Sequence, residues 1–180
     1  MDQQHPIIVE LDLQKVAKQS IWLTFIPLIL LLLIRFFLNG GLFLTFSLWY
    51  FLYFFVGYII LIVFHEFFHL LGFRMFCGVP WKNMDYGVNL KMGIAYATAD
   101  QLMDNKGIRQ ALLLPFWMTG ILPAIIALYL NDGVLLVLAA ALIGGAAGDF
   151  AMYKELKKFP DDAMVKDDPE LPKLYIYPAQ

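Results

Sequence analysis

Long apolar runs separated by short polar turns dominate this chain. From Ile21 to Leu38 the only charge is Arg35, near the end of the run, and at about 18 residues the stretch is roughly the shortest that spans a bilayer as a helix. Asn39-Gly40-Gly41 reads as a turn. From Leu42 to Phe73 the only formal charge is Glu66, with His65 and His69 as its titratable neighbours. A helix of that length would reach about 48 Å against a hydrocarbon core of roughly 30 Å, so it must tilt, bend near Gly57 or begin outside the membrane. A third run covers about Ile108 to Leu130, with Pro115 and Pro123 inside it, and Asn131-Asp132-Gly133 makes a second tight turn. The fourth run goes from Val134 to about Met152 and stops before Lys154, Lys157 and Lys158.

The connection between the second and third runs has a different period. Tyr86 to Leu90 and Ile94 to Thr98 flank Lys91-Met92-Gly93 in a strand, turn, strand pattern. At the N-terminus Ile7, Val9, Leu11 and Leu13 recur at every second position, which allows that segment to add a strand. The fold expected is an all-α membrane protein forming one domain over residues 1–180. Its four transmembrane helices cover about 21–38, 42–73, 108–130 and 134–152, with a small cytoplasmic β-hairpin between the second and third. Residues 1–19 form an N-terminal segment and 153–180 a tail.

Composition narrows the class further. Hydrophobic residues make up 61% of 180, with 16 Phe, 9 Tyr and 4 Trp, more than one small soluble core buries, whereas a bilayer accepts apolar side chains all round a helix. The net charge is −2 and the 13 basic residues form no stripe, so the electrostatic footprint of a nucleic-acid binder is missing. Cys77 is the only cysteine, which leaves no internal disulfide and no zinc-ribbon Cys pairs; a packed thiol is the plainer reading and acylation beside the membrane the alternative. The first twenty residues carry Asp2, Glu10 and Asp12 and no basic n-region, so the first run is expected to stay as an anchor.

Basic residues predict the orientation. Lys15 and Lys18 precede the first run; Arg74, Lys82, Lys91, Lys106 and Arg109 lie around the long connection; Lys154, Lys157, Lys158, Lys166 and Lys173 follow the last run. The two short turns have none, which places both termini in the cytoplasm of a multi-pass protein of the cell membrane. Arg35 is the one basic residue at odds with this scheme.

The chemistry lies inside the second run. His65-Glu66-Phe67-Phe68-His69 is an HExxH sequence, whose two His fall on one helical face and can reach one metal ion while the Glu acts on its water. With three His in the chain, the pattern arises by chance in about one sequence in a thousand of this composition. The alternative, ordinary core residues, leaves a carboxylate and two imidazoles buried in a membrane helix at a cost of several kcal/mol. Zinc removes that cost.

A catalytic zinc needs a third protein ligand. His5 is remote, and Asp149 is the only acid within the apolar part of another run. His69 lies five residues before Arg74 and Asp149 five before Lys154, so both sit about 7 Å inside the cytoplasmic edge. Ala140, Gly144 and Gly148, with Ala141 and Gly145 leading to Asp149, form small-residue stripes that let another helix approach. Two alternatives remain open: Asp149 snorkels or pairs with Lys154 or Arg74, and Asp85, Asp100 or Glu155 supplies the ligand instead. Lys158 to Asp168 reads as a solvated charge run, with a regulatory or substrate-contacting tail as the lesser reading.

Taken together, His65-Glu66-Phe67-Phe68-His69, the hairpin connection, Pro115, Gly148-Asp149 and the stretch from Lys158-Phe159-Pro160 to Asp167 resemble the bacterial putative zincin peptidase family of unknown function. More distantly, the last three runs resemble the three-helix core of site-2 proteases, in which HExxH on one helix and an Asp on a later helix bind zinc inside the membrane. This chain departs from that pattern in having Phe150 after Gly148-Asp149 and in lacking Gly-Pro-x-x-Asn around Leu114-Pro115-Phe116. The resemblance implies peptide-bond hydrolysis near the cytoplasmic face.

The residues and the resemblance converge on a membrane zinc metallopeptidase. His65, His69 and Asp149 would hold Zn²⁺ and Glu66 would act as general base and then general acid. Its partners would be the lipid bilayer and a membrane-protein or peptide substrate, which could add as a strand to the hairpin. The alternative is a non-catalytic metal-binding membrane scaffold, against which the intact Glu66 argues. A transporter is disfavoured by the lack of an internal repeat.

Overall fold

The computed structural model describes residues 6–41, 47–89, 93–168 and 171–177. His5, the start of the second run at Leu42, and Leu90, Lys91 and Met92 of the expected hairpin lie outside the described residues. Four described helices are long and apolar enough to cross a membrane: Leu13–Asn39, Leu48–Phe76, Asn105–Leu130 and Gly133–Leu156. The first two are regular and are called α1 and α2. The third comprises α3 (Asn105–Pro115), a π-helical turn (Phe116–Ile121) and α4 (Leu122–Leu130). The fourth is α5 (Gly133–Gly145) and α6 (Ala147–Leu156), separated at Ala146.

The expected turn between the last two runs has a clear local cause. Asn131 takes the left-handed conformation, φ 55°, and ends α4, a conformation Asn tolerates better than most residues. The Asp132 carboxylate then accepts from the Val134 and Leu135 amides, capping α5.

The chain divides into two compact units, with boundaries inside the helices. One comprises Gln14–His65 and Pro115–Ala147; the other comprises Met1–Leu13, Glu66–Leu114 and Gly148–Gln180.

The first unit is helical, and small residues set its close contacts. A Cβ on Gly144 would fall 1.7 Å from Thr24 Oγ1 and 2.9 Å from the Ser20 carbonyl oxygen, so α1 meets α5 nearly backbone to backbone, the close approach expected of the small-residue stripe. Gly57 similarly abuts Leu138 and Gly120 abuts Ile143. Arg35 is buried here: Nε donates to Asn131 Oδ1 at 2.8 Å and Nη2 to the Asn131 carbonyl at 3.2 Å. That clamp gives acceptors to two of the three guanidinium nitrogens of a charge near the end of an apolar helix, while Nη1 is buried without a hydrogen-bond partner among the described residues.

The second unit packs strands on helices. Strands β2 (Met84–Asn89) and β3 (Ile94–Ala99) form the expected antiparallel hairpin. A second sheet goes beyond the single hairpin expected. It joins β1 (Ile7–Glu10), β4 (Met103–Asp104), β5 (Met164–Asp167) and β6 (Lys173–Tyr177) in the order β1-β6-β5-β4. The N-terminal alternation does produce a strand, paired with the tail through Val9↔Leu174.

The tail is therefore not merely a solvated charge run. Val165, Leu174 and Ile176 are buried with Leu70 and Phe73 of α2, Ile108 and Ala111 of α3, and Met152 and Leu156 of α6. At about 25 cal/mol per Å² of apolar surface buried, a core of this kind holds the tail in place. Asn105, fully buried, adds a polar tie: its Nδ2, with two hydrogens to donate, lies within hydrogen-bond distance of the carbonyls of Leu156, at the end of α6, and of Phe159 and Pro160 just beyond it.

Candidate metal centre

Helix α2 runs unbroken through His65, Glu66 and His69, so the two imidazoles stand one turn apart on one face. Both are buried, at 7% exposure, while Glu66 is partly exposed. Asp149 lies in the first turn of α6, just past the interruption at Ala146, where a helix N-terminus favours a carboxylate. Its Oδ1 is 3.3 Å from His69 Nε2.

One donor atom from each of His65, His69 and Asp149 lies within 4.8 Å of the other two. A tetrahedral zinc with bonds of about 2.0–2.1 Å spaces its ligand atoms about 3.3 Å apart, so the His69–Asp149 separation suits ligation without rebuilding. Two imidazoles and a carboxylate, with one position left open, are also the donor set of a hydrolytic zinc. The residues present fit the ion. Of the other acids considered as third ligand, Asp100 pairs with Lys166 and Glu155 with Lys158, while Asp85 accepts from the Tyr86 amide.

The surroundings hold the imidazoles in place. His65 Nδ1 is 3.2 Å from Thr119 Oγ1, and the Thr119 hydroxyl donates to the Pro115 carbonyl at 2.9 Å. Near His69, a Cβ on Gly72 would come within 2.7 Å of Ala111 Cα. This close approach of α2 and α3 accompanies an interaction of the Ala111 backbone with the His69 ring.

Asp167 comes from the tail. Along β5 it shares a face with Val165, the core-facing side, and its carboxyl bonds to the Thr98 side chain within electrostatic range of His69. Burial pushes its pKa up to about 7, against the opposing pull of those partners. Cys77 is a packed thiol beside the same core: burial first, then the Asp104 carboxylate, push it up to about 12.

A family model described as "Putative zincin peptidase" matches residues 58–164, a span that contains His65, Glu66, His69 and Asp149. The chain belongs to the putative zincin peptidase family. The family name implies zinc, and the grouping of His65, His69 and Asp149 is compatible with a metal site in this zincin. No curated protein and no solved structure gives a significant match to the chain.

Thr119, Thr98 and Asp167 were not singled out from the sequence. Thr119 is one hydroxyl in an apolar run and carries no pattern. Asp167 sits among Lys166 and Asp168, where a charge reads as solvated; only the alternation with Val165 hints at its inward face.

Proposed function

We propose that this zincin peptidase is a membrane-embedded zinc metallopeptidase. It would hydrolyse peptide bonds of membrane or juxtamembrane substrates near the cytoplasmic face. The observation that carries the reading is the convergence of His65, His69 and Asp149 around one point, with Glu66 on the same helix as both His. His65, His69 and Asp149 hold the ion. When bound, zinc polarises the scissile carbonyl and makes water acidic enough to be activated near neutral pH. Glu66 takes the proton of the attacking water and returns it to the leaving amine.

Support for membrane embedding comes from the surface. Trp22, Phe37, Leu48 and Tyr129 are among many large apolar side chains exposed on the four long helices, a surface that suits lipid and not water. Support for substrate capture comes from β2, whose Tyr86 and Val88 are exposed and whose one described strand partner is β3. An extended peptide can add to such an edge through main-chain hydrogen bonds, and this requires the scissile segment to be unwound from helix.

Two measurements test the proposal. The first is cleavage of a single-span protein co-reconstituted in liposomes, followed by mass spectrometry. Cutting within or beside the span that stops on chelation and returns with zinc is expected; chelator-insensitive cutting sinks the zinc chemistry. The second is cysteine labelling. Asn39 and Asp162 are both exposed, so Asn39→Cys should label from outside intact cells and Asp162→Cys only after permeabilisation. Both variants should be made in a chain from which Cys77, the one native cysteine, has been removed, so that the introduced thiol is the only one labelled. The reverse pattern would put the metal centre at the outer face.

A further inference from the structure

The third long helix changes geometry beside the metal centre, with the π-helical turn Phe116–Ile121 replacing regular α-helix. Such turns are rare and recur at functional sites. This one contains Thr119, at 1% exposure among the most deeply buried polar side chains described. Its Oγ1 has two neighbours of different kinds: the Pro115 carbonyl at 2.9 Å and His65 Nδ1 at 3.2 Å.

A hydroxyl has one hydrogen to donate and lone pairs to accept with. A carbonyl oxygen can only accept, so the Thr119 hydrogen belongs on Pro115. What remains toward the ring is a lone pair, and a lone pair there requires a hydrogen on Nδ1. A neutral imidazole with hydrogen on Nδ1 has its other lone pair on Nε2.

We propose that Thr119 is the positioning residue of the metal centre: accepting a hydrogen bond from His65 Nδ1 while donating to Pro115, it selects the tautomer whose Nε2 can bind zinc. This rests on the metal-centre reading above and deepens it. Zinc ligands of the His type commonly have their second nitrogen held by a carbonyl, a carboxylate or water. A Thr hydroxyl can replace these only if its own hydrogen is committed elsewhere, and the Pro115 carbonyl is what commits it. Thr119 touches neither substrate nor the ion; it acts through His65.

The ¹⁵N ring signals of His65 in zinc-free, full-length protein in detergent micelles read the tautomer directly. Wild type and Thr119→Ser should both hold the hydrogen on Nδ1, whereas Thr119→Val, of the same shape without the acceptor, should lose the fixed preference. Zinc titration provides the second readout. Affinity should fall about 10- to 100-fold in Thr119→Val, the usual cost of losing an outer-shell partner, and Thr119→Ser should restore most of it. Hydrogen on Nε2 of wild-type His65 overturns the proposal, as does wild-type zinc affinity in a folded Thr119→Val. Should Thr119→Val fail to fold, the wild-type tautomer alone decides. A wild type that binds no zinc defeats the metal-centre reading instead, a failure the tautomer measurement keeps distinct.

Discussion

Glu66→Gln should retain zinc at wild-type occupancy and lose cleavage by about 10² to 10⁴, the range general acid–base catalysis supplies. The two properties come apart because Glu66 is not one of the three residues whose donor atoms converge. It follows His65 on α2 but is partly exposed where the His is buried. Gln keeps the size and the helix, and it removes the one property the mechanism uses, a carboxylate that accepts a proton and gives it back. Zinc content by elemental analysis and cleavage in liposomes should be measured on the same preparation. Equal cleavage by both proteins would mean that another base acts or that a contaminant cuts. If neither protein cuts any membrane protein while a cellular phenotype still needs His65 and His69, the metal-binding scaffold replaces the peptidase as the better account.

The parts of the fold that could be read from the sequence are those with strong local periodicity. The four long helices follow from apolar runs of spanning length, and the capped turn at Asn131-Asp132 from residues that suit a helix end and a helix start. HExxH is a local pattern as well. The pairing of His69 with Asp149 is not local, yet simple arithmetic anticipates it: each lies five residues before a basic residue, Arg74 or Lys154, so the two share a depth.

Non-local pairings without such a ruler were out of reach. β1 and β6 are separated by almost the whole chain, and Met164-Val165-Lys166-Asp167 has the composition of a solvated tail. Its strand character comes from the partners it finds, consistent with β-propensity being mostly a matter of context. Arg35 is the converse case, because its partner Asn131 is recognisable as a turn residue but not as an acceptor. A sequence displays a charge; it does not display what the charge is bonded to.

Replacing His69 or Asp149 by Ala should lower zinc affinity by more than about 100-fold, beyond the outer-shell range that bounds the Thr119 effect. The larger loss is expected because each removes a donor atom of the convergent set. The pair has to be tested together. His69 and Asp149 lie 3.3 Å apart, so a buried hydrogen-bonded ion pair that holds no metal would give the same distance. The two readings differ in what the Asp149 variant does. If Asp149 is a ligand, Asp149→Ala loses zinc as His69→Ala does, and Asp149→Asn, which keeps the volume but not the charge, recovers little of it. If Asp149 only pairs with His69, its removal leaves occupancy intact while His69→Ala still abolishes it. In that second outcome the third ligand has to be another carboxylate. Asp100 and Glu155 are already engaged with lysines and Asp85 with the Tyr86 amide, so Asp167, on the core face of β5 and in electrostatic range of His69, is the first residue to replace by Ala, ahead of those three.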